Sequence, residues 1–293
     1  MTNSADLTYQ LLIRDVLNGT RRPSRGGPDT LSSFGQHYRM SVSCDAFPLL
    51  TTKRMSWKSI VVELLWFLSG DSTTDILDHH GLTFLHPWTD DRRMVPSPYG
   101  AFWRDFDGVD QIRFCLDELK SNPWSRRCVV SAWDPKNAVT SALPPCHAFW
   151  VLSSRPAVGE QNRLSLHLTQ RSGDVALGIP FNIASYALLL CWAAQYLEMR
   201  PCEFSHTIVD AHIYTKTQDG QYGEYDHVPG MVRQLLRDAY PAPKLMIDPS
   251  ITAALYDRAK IKALAYQPWS VLSNLFRLDG YTAHDSIQFR PLV

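Results

Sequence analysis

The chain has 293 residues, of which 45 % are hydrophobic and 20 % charged, with 29 basic side chains against 29 acidic ones. This balance fits a soluble globular protein with a substantial core, and it gives no sign of a chain that binds nucleic acid or a membrane surface through net charge. The longest apolar run, residues 183–194, is too short to span a bilayer and carries Ser185 and Tyr186.

No internal repeat or low-complexity linker divides the sequence, so a single domain over residues 1–293 is expected. Leu7, Leu11, Leu12 and Val16 fall near one face of a helix over 6–17, with Gly19 as its stop. The stretch 18–29, rich in Gly, Pro and Arg, reads as a loop, and 30–44 as a strand with an exposed face. A buried helix over 57–70 ends at Gly70, and an amphipathic one over 109–123 ends near Pro123. Strands follow at 127–133, 147–154 and 163–171. In the last, Leu164, Leu166 and Leu168 face one way, while Ser165, His167, Thr169 and Arg171 form a polar row that faces either a pocket or solvent. A helix runs from Pro180 to about Glu198, and 204–214 returns as a strand. Strands clustered centrally with helices around them predict an α+β fold on a mixed or mostly antiparallel sheet.

Six cysteines without a C-x-x-C pair and ten histidines without an H-x-x-x-H pair give a zinc site no support, and no metal is expected. The start "MTNSADLTYQLL" lacks the basic and apolar regions of a signal peptide, so the expected setting is a reducing cytoplasm (a host's, were the gene a phage's) with free thiols. In "ALPPCHAFWVL" (142–152), Cys146 and His147 stand at the stiff start of a strand. Such a cysteine is ordinarily core filler. The alternative is a nucleophile, which requires a positive environment for its thiolate. Glu63 lies on an apolar helix face with no basic residue one turn ahead, so either a distant cation pairs with it or it is a carboxyl of raised pKa with a functional role. The stretch "QRSGDVALGIPFN" (170–182) brings Arg171, Ser172, Asp174, Gly178 and Asn182 to a strand-to-helix turn, where anions bind readily. Taken singly, Asp174 is a turn residue and Asn182 a cap. Together with Arg25, Arg126 and Arg127 they make a cradle for a phosphomonoester, since the guanidinium fork donates two parallel hydrogen bonds. His212 and Tyr214 lie two apart on one strand face.

Six blocks in order, "FPLLTTKR" (47–54), "ELLWFLSGD" (63–71), "PYGAFWR" (98–104), "LPPCHAF" (143–149), "QRSGDVALGIPFNIASYALL" (170–189) and "DAHIY" (210–214), resemble the thymidylate synthase family. The resemblance runs from about residue 25 to 215, with a weaker match at the C-terminus. It implies that family's α+β fold, with a mixed sheet packed by helices and one sheet face buried in a homodimer. It also implies a pyrimidine deoxynucleoside monophosphate and 5,10-methylene-tetrahydrofolate as substrates. Cys146 then matches the nucleophile that adds to C6 of the base. Arg25, Arg171 and Ser172 match phosphate ligands, and Arg126 and Arg127 match arginines that reach the phosphate of the partner subunit's site. Asn182 matches the reader of the base, and His212 and Tyr214 match the pair at the sugar 3′-hydroxyl. Glu63, Tyr99 and His147 match a proton-handling water network. Asp174, Gly178, Phe181, Trp88, Leu85 and Lys53 match the folate side, with Asp174 also in the catalytic set.

The departures gather on that folate side. Leu85 stands where the family's W-x-x-W segment usually has an aromatic, so only Trp88 remains of the pair. "PSPYG" (96–100) replaces G-P-V-Y-G, Met55 follows "TTKR" in place of a histidine, and Ala176 replaces a bulky aromatic. A thinner wall and an added serine are expected to admit water near the one-carbon unit. The expected reaction is therefore dUMP to 5-hydroxymethyl-dUMP. The alternatives are methylation to dTMP, hydroxymethylation of dCMP, and a nucleotide-binding paralogue without turnover.

Overall fold

The computed structural model describes residues 3–292. Helix α1 (Ser4–Leu17) is capped by Asn3, whose side chain accepts from the Ala5 N–H. One turn in, the buried Asp6 carboxylate accepts from the N–H and hydroxyl of both Thr51 and Thr52, at 2.7–3.0 Å. A charge removed from water is stable only with its lone pairs filled, and the two threonines fill them. They thereby anchor the extended segment whose next residue is Lys53.

Strand β1 (Thr20–Pro23) forms a hairpin with β2 (Asp29–Ser41), within a stretch the sequence reads as a loop. Its short run ends in proline, and at a sheet edge the missing N–H costs no ladder bond. Helix α2 (Trp57–Ser69) starts at a Ser56 cap and stops at Gly70, which adopts φ 68° as C-cap. The short helices α3 (Asp75–His79) and α4 (Tyr99–Arg104) follow, and then α5 (Gln111–Ser121). The closed approach of α4 to α2 requires a glycine, because a Cβ on Gly100 would lie 2.0 Å from the Phe67 carbonyl oxygen. Arg104, buried in α4, donates to Leu68 O and Leu255 O at 2.7 Å, while Arg258 donates to Ser69 O and Gly70 O. Two cations thus satisfy the free carbonyls at the C-terminal end of α2.

Beyond β3 (Val129–Ser131) and the one-and-a-half-turn α6 (Pro135–Thr140), strands β4 (His147–Arg155) and β5 (Arg163–Gln170) form an antiparallel pair. The two-residue β6 (Gly173–Asp174) leads into α7 (Gly178–Tyr196), and β7 (Arg200–Thr215) returns parallel to both β5 and β6. The sheet order is β1-β2-β7-β5-β4-β3, with β6 also on β7. The sheet is mixed and helices pack on it, giving the expected α+β class. Helix α7 is apolar on all sides because it runs through the core, its residues Ile183–Ala194 all buried. Helix α8 (Val228–Leu235), the small sheet of β8 (Lys244–Ile247) and β9 (Phe276–Asp279), and helices α9 (Arg258–Ala265) and α10 (Trp269–Leu275) complete the fold.

The polar row of β5 turns away from the core. His167 bonds Ser205 and Thr169 on the outer sheet face, and His37 bonds Thr207 there, each at 3.0 Å. Leu164, Leu166 and Leu168 line the inner face. Along β7 the buried positions shift by one between Ile208 and Ala211, where β5 ends and β6 begins. The pairing register with β2 runs unbroken through this point, yet His212 and Tyr214 fall out of the buried set; the cleft lies where β5 gives way to β6, at Gln170, Ser172 and Asp174. Among the described residues no helix is long and apolar enough to cross a membrane.

Candidate active site

The cleft holds a cavity of about 250 Å³. One wall comes from α2, with Glu63, Trp66 and Phe67; a second comes from Leu85 and the Val95–Tyr99 turn. The floor is Cys146 and His147, and the far side is Gln170, Ser172, Asp174, Gly178 and Asn182.

Cys146 is held by its neighbours on both sides. Arg171 donates through Nε to Pro145 O at 2.9 Å and through its terminal nitrogen to Pro144 O at 2.7 Å, and its backbone N–H donates to Cys146 O. The Cys146 N–H donates to the Tyr99 hydroxyl at 3.3 Å. The stiff double proline and this clamp give the sulfur one position. Burial pushes the thiol up, and the Arg171 guanidinium only partly opposes it. Arg25, Arg126 and Arg127 are exposed and lie off the cavity lining, so among the described residues Arg171 is the cation that acts on the Cys146 thiol. The thiolate of Cys146 is therefore not the favoured form in this chain alone.

Glu63 has its carboxyl pushed up to about 7 by burial, in agreement with its apolar helix face. His147 stacks on Tyr99 with ring centroids 4.4 Å apart, and its Nδ1 lies 3.0 Å from the Tyr186 hydroxyl. Burial holds the imidazole down at about 3, against a smaller upward pull from Asn182, so it is neutral at working pH. The Tyr99 phenol is driven far up by burial and by the neighbouring Cys146. Asn182 is inside α7 and caps nothing; the turn is closed instead by Asp174, whose carboxylate accepts from the Ala176 and Leu177 N–H groups at 2.8 and 3.1 Å. Lys53 donates to Ala176 O at 2.5 Å from below, buried, with its ammonium lowered to about 8 by desolvation.

The cleft thus gathers Glu63, Leu85, Tyr99, Cys146, His147, Ser172, Asp174, Gly178 and Asn182. Arg171 works one layer behind, on the proline carbonyls. His212 and Tyr214 pair edge to face at 5.1 Å outside the cavity lining, with Arg25 near enough to pull down on the Tyr214 phenol, which burial raises to about 12. Trp88 and Phe181 do not line the cavity, and Lys53 supports the 174–177 turn from outside it. Sequence reasoning missed Trp66, Phe67, Val95, Leu143 and Gln170 as lining. Trp66 and Phe67 were visible only as apolar helix residues, a pattern that core and pocket share. Ser97 also departs from expectation. Its hydroxyl bonds Asn137 Oδ1 and, at 2.7 Å, Ser141 Oγ, so it is committed to protein and does not invite water into the cavity.

A one-carbon-bearing folate requires an apolar wall for its ring system and a carboxylate facing ring N–H groups. Trp66, Phe67, Leu85, Val95 and Leu143 supply the first, and Asp174 supplies the second, so the residues fit such a group. Over residues 7–293 the chain matches the family model described as thymidylate synthase.

Proposed function

The chain belongs to the thymidylate synthase family, whose members transfer a one-carbon unit to a pyrimidine nucleotide with methylene-tetrahydrofolate as co-substrate; from that premise we propose that this protein converts dUMP to 5-hydroxymethyl-dUMP. The reading takes the chain as one domain acting as a cytoplasmic homodimer.

Bound folate supplies the one-carbon unit; the remaining steps belong to the side chains of the cleft. Cys146 adds its sulfur to C6 of the base, which makes C5 an enolate-like nucleophile. The Arg171 clamp and the Tyr99 contact keep that sulfur at one approach angle. Asn182 offers a donor to O4 and an acceptor to N3–H together, the pattern of uracil. Glu63, titrating at about 7, is the group suited to give and take a proton at the base. Arg25, Ser172 and the terminal nitrogen of Arg171 that does not bond Pro144 receive the phosphate, with Arg126 and Arg127 completing the partner subunit's site. Their charge, and that of the phosphate they neutralise, then decides how much of Cys146 is thiolate. His212 and Tyr214 hold the sugar, and Asp174, Gly178 and Leu85 meet the folate. C5 would take the carbon as its bond to the carrier's nitrogen breaks, and once C5 has then lost its proton an exocyclic methylene stands on the base. Water gives that carbon its hydroxide and the site its proton, and the C6–S bond breaks. A hydride delivered to the same carbon would give the methyl product instead.

The observation that carries the hydroxymethyl reading is Leu85 in the cavity wall, where a tryptophan would cover the one-carbon side. Covering and water exclusion decide between two barriers, and about 1.4 kcal/mol between them changes the product ratio tenfold. Leu85→Trp should therefore raise the ratio of dTMP to 5-hydroxymethyl-dUMP made from dUMP by about tenfold, read by chromatography of the nucleotide products. An unchanged ratio would remove Leu85 as the determinant. A divergent synthase, the alternative reading, would release dTMP as the main product of the wild-type protein, and the same chromatogram distinguishes it.

A further inference from the structure

Ser97 is buried, 7 % exposed, and sits at φ 64° in the left-handed region, which a serine adopts at a cost. A costly conformation persists where surrounding contacts determine it, and here the contacts are specific. The Ser97 hydroxyl bonds Asn137 in α6 and Ser141 just after it, and Ser141 Oγ in turn accepts from the Leu143 N–H at 3.2 Å. Leu143 lines the cavity, and the next residues are Pro144, Pro145 and Cys146. Two residues beyond Ser97, the Tyr99 hydroxyl accepts from Cys146 N–H. One turn of chain, 97–99, thus holds the nucleophile's segment at both of its ends.

We propose that Ser97 is a positioning residue: it latches the 137–143 segment over the cleft and so sets the place of Cys146 relative to the nucleotide. Asn137, Ser141 and Leu143 form the other half of the latch. Apart from the two hydroxyl bonds, α6 has little to hold it, since Val139 is 86 % exposed and none of the helix's residues is buried. The cavity wall at Leu143 and the approach of the sulfur therefore depend on a chain of three hydrogen bonds. The inference rests on Cys146 being the nucleophile of the proposed reaction, whichever product is released.

The test uses full-length protein with Ser97→Ala and Ser97→Gly. Both remove the hydroxyl, and glycine also relieves the left-handed backbone, so its melting temperature should stay near or above wild type. The rate read is release of the C5 proton from the nucleotide, an event common to the methyl and hydroxymethyl outcomes. Both variants should lose about tenfold or more in kcat with nucleotide KM changed less than threefold, as expected for a misplaced reacting group. Ser97→Ala combined with Ser141→Ala should be no slower than Ser97→Ala alone. In a second measurement, without substrate, the Leu143 amide should exchange its hydrogen about tenfold faster in Ser97→Gly. Unchanged kcat, effects that add in the double variant, or unchanged exchange at Leu143 would each overturn the latch. If wild-type protein released no C5 proton, the proposed reaction would fail, while the exchange measurement would still decide the latch.

Discussion

Glu63 shows how a single side chain links the cleft to pH. Its folded pKa of about 7 lies above the ordinary 4.5, with burial as the cause. The folded state therefore binds the proton more tightly than the unfolded chain does. The stability tied to that proton is fully present below about pH 4.5 and is lost as pH rises through about 7. Glu63→Gln, which keeps the shape and removes the charge, should be more stable than wild type above pH 7 by up to about 3 kcal/mol, with the gap closing toward pH 4.5. Urea denaturation of both proteins at pH 4.5 and pH 8 checks this; equal stability at both pH values contradicts it. The same substitution should abolish most turnover, which makes Glu63 a residue held at a cost to stability for its proton. Its apolar helix neighbours made this legible in the sequence. The state of Cys146 was not: its thiol depends on which arginines reach it across the fold, and among the described residues only Arg171 does.

At the scale of elements, α2 and α4 carry Glu63 and Tyr99 toward one another, and their spacing is set by backbone contact at Gly100. Gly100→Ala should force the helices apart, costing about 1–3 kcal/mol as overpacking does and lowering kcat through displacement of Tyr99. Thermal denaturation with a turnover assay tests it, and a variant with wild-type stability and rate would deny the contact its role. The periodic elements α5 and β5 were legible because their own residues determine which face is buried, and α2 and α7 because long apolar runs mark helices that pass through the core. The termini of β7 and the very existence of β1, α4 and α6 were not. β1 is a four-residue edge strand seen only through its hairpin with β2, while α4 packs on the Phe67 carbonyl and α6 bonds Ser97, both contacts about thirty residues or more away along the chain. The "TTKR" block illustrates the same limit. Its residues marked the family, but the reason for them, the buried Asp6 and the Ala176 carbonyl, appears only when the chain is folded.

For the molecule as a whole, the outer sheet face and the exposed Arg126 and Arg127 bear on assembly. Phe34, 81 % exposed, and the half-open Phe149 lie on strands of that face, and the two arginines project from the chain without joining its own cleft. In the proposed homodimer each site takes Cys146 from one subunit and these arginines from the other. Cys146→Ser alone and the pair Arg126→Ala with Arg127→Ala should each be nearly inactive. Mixing them equally under conditions that exchange subunits should restore about a quarter of wild-type activity, because half the dimers are mixed and each has one competent site. No recovery would contradict shared sites.

The proposed reaction turns on the fate of one carbon, and the mass of the nucleotide product reads that fate. Wild-type protein is incubated with dUMP and methylene-tetrahydrofolate, and the nucleotide and folate products are both weighed by mass spectrometry. The account predicts 5-hydroxymethyl-dUMP, heavier than dTMP by one oxygen, with the folate released as tetrahydrofolate. Formation of dTMP with an equal amount of dihydrofolate would contradict it.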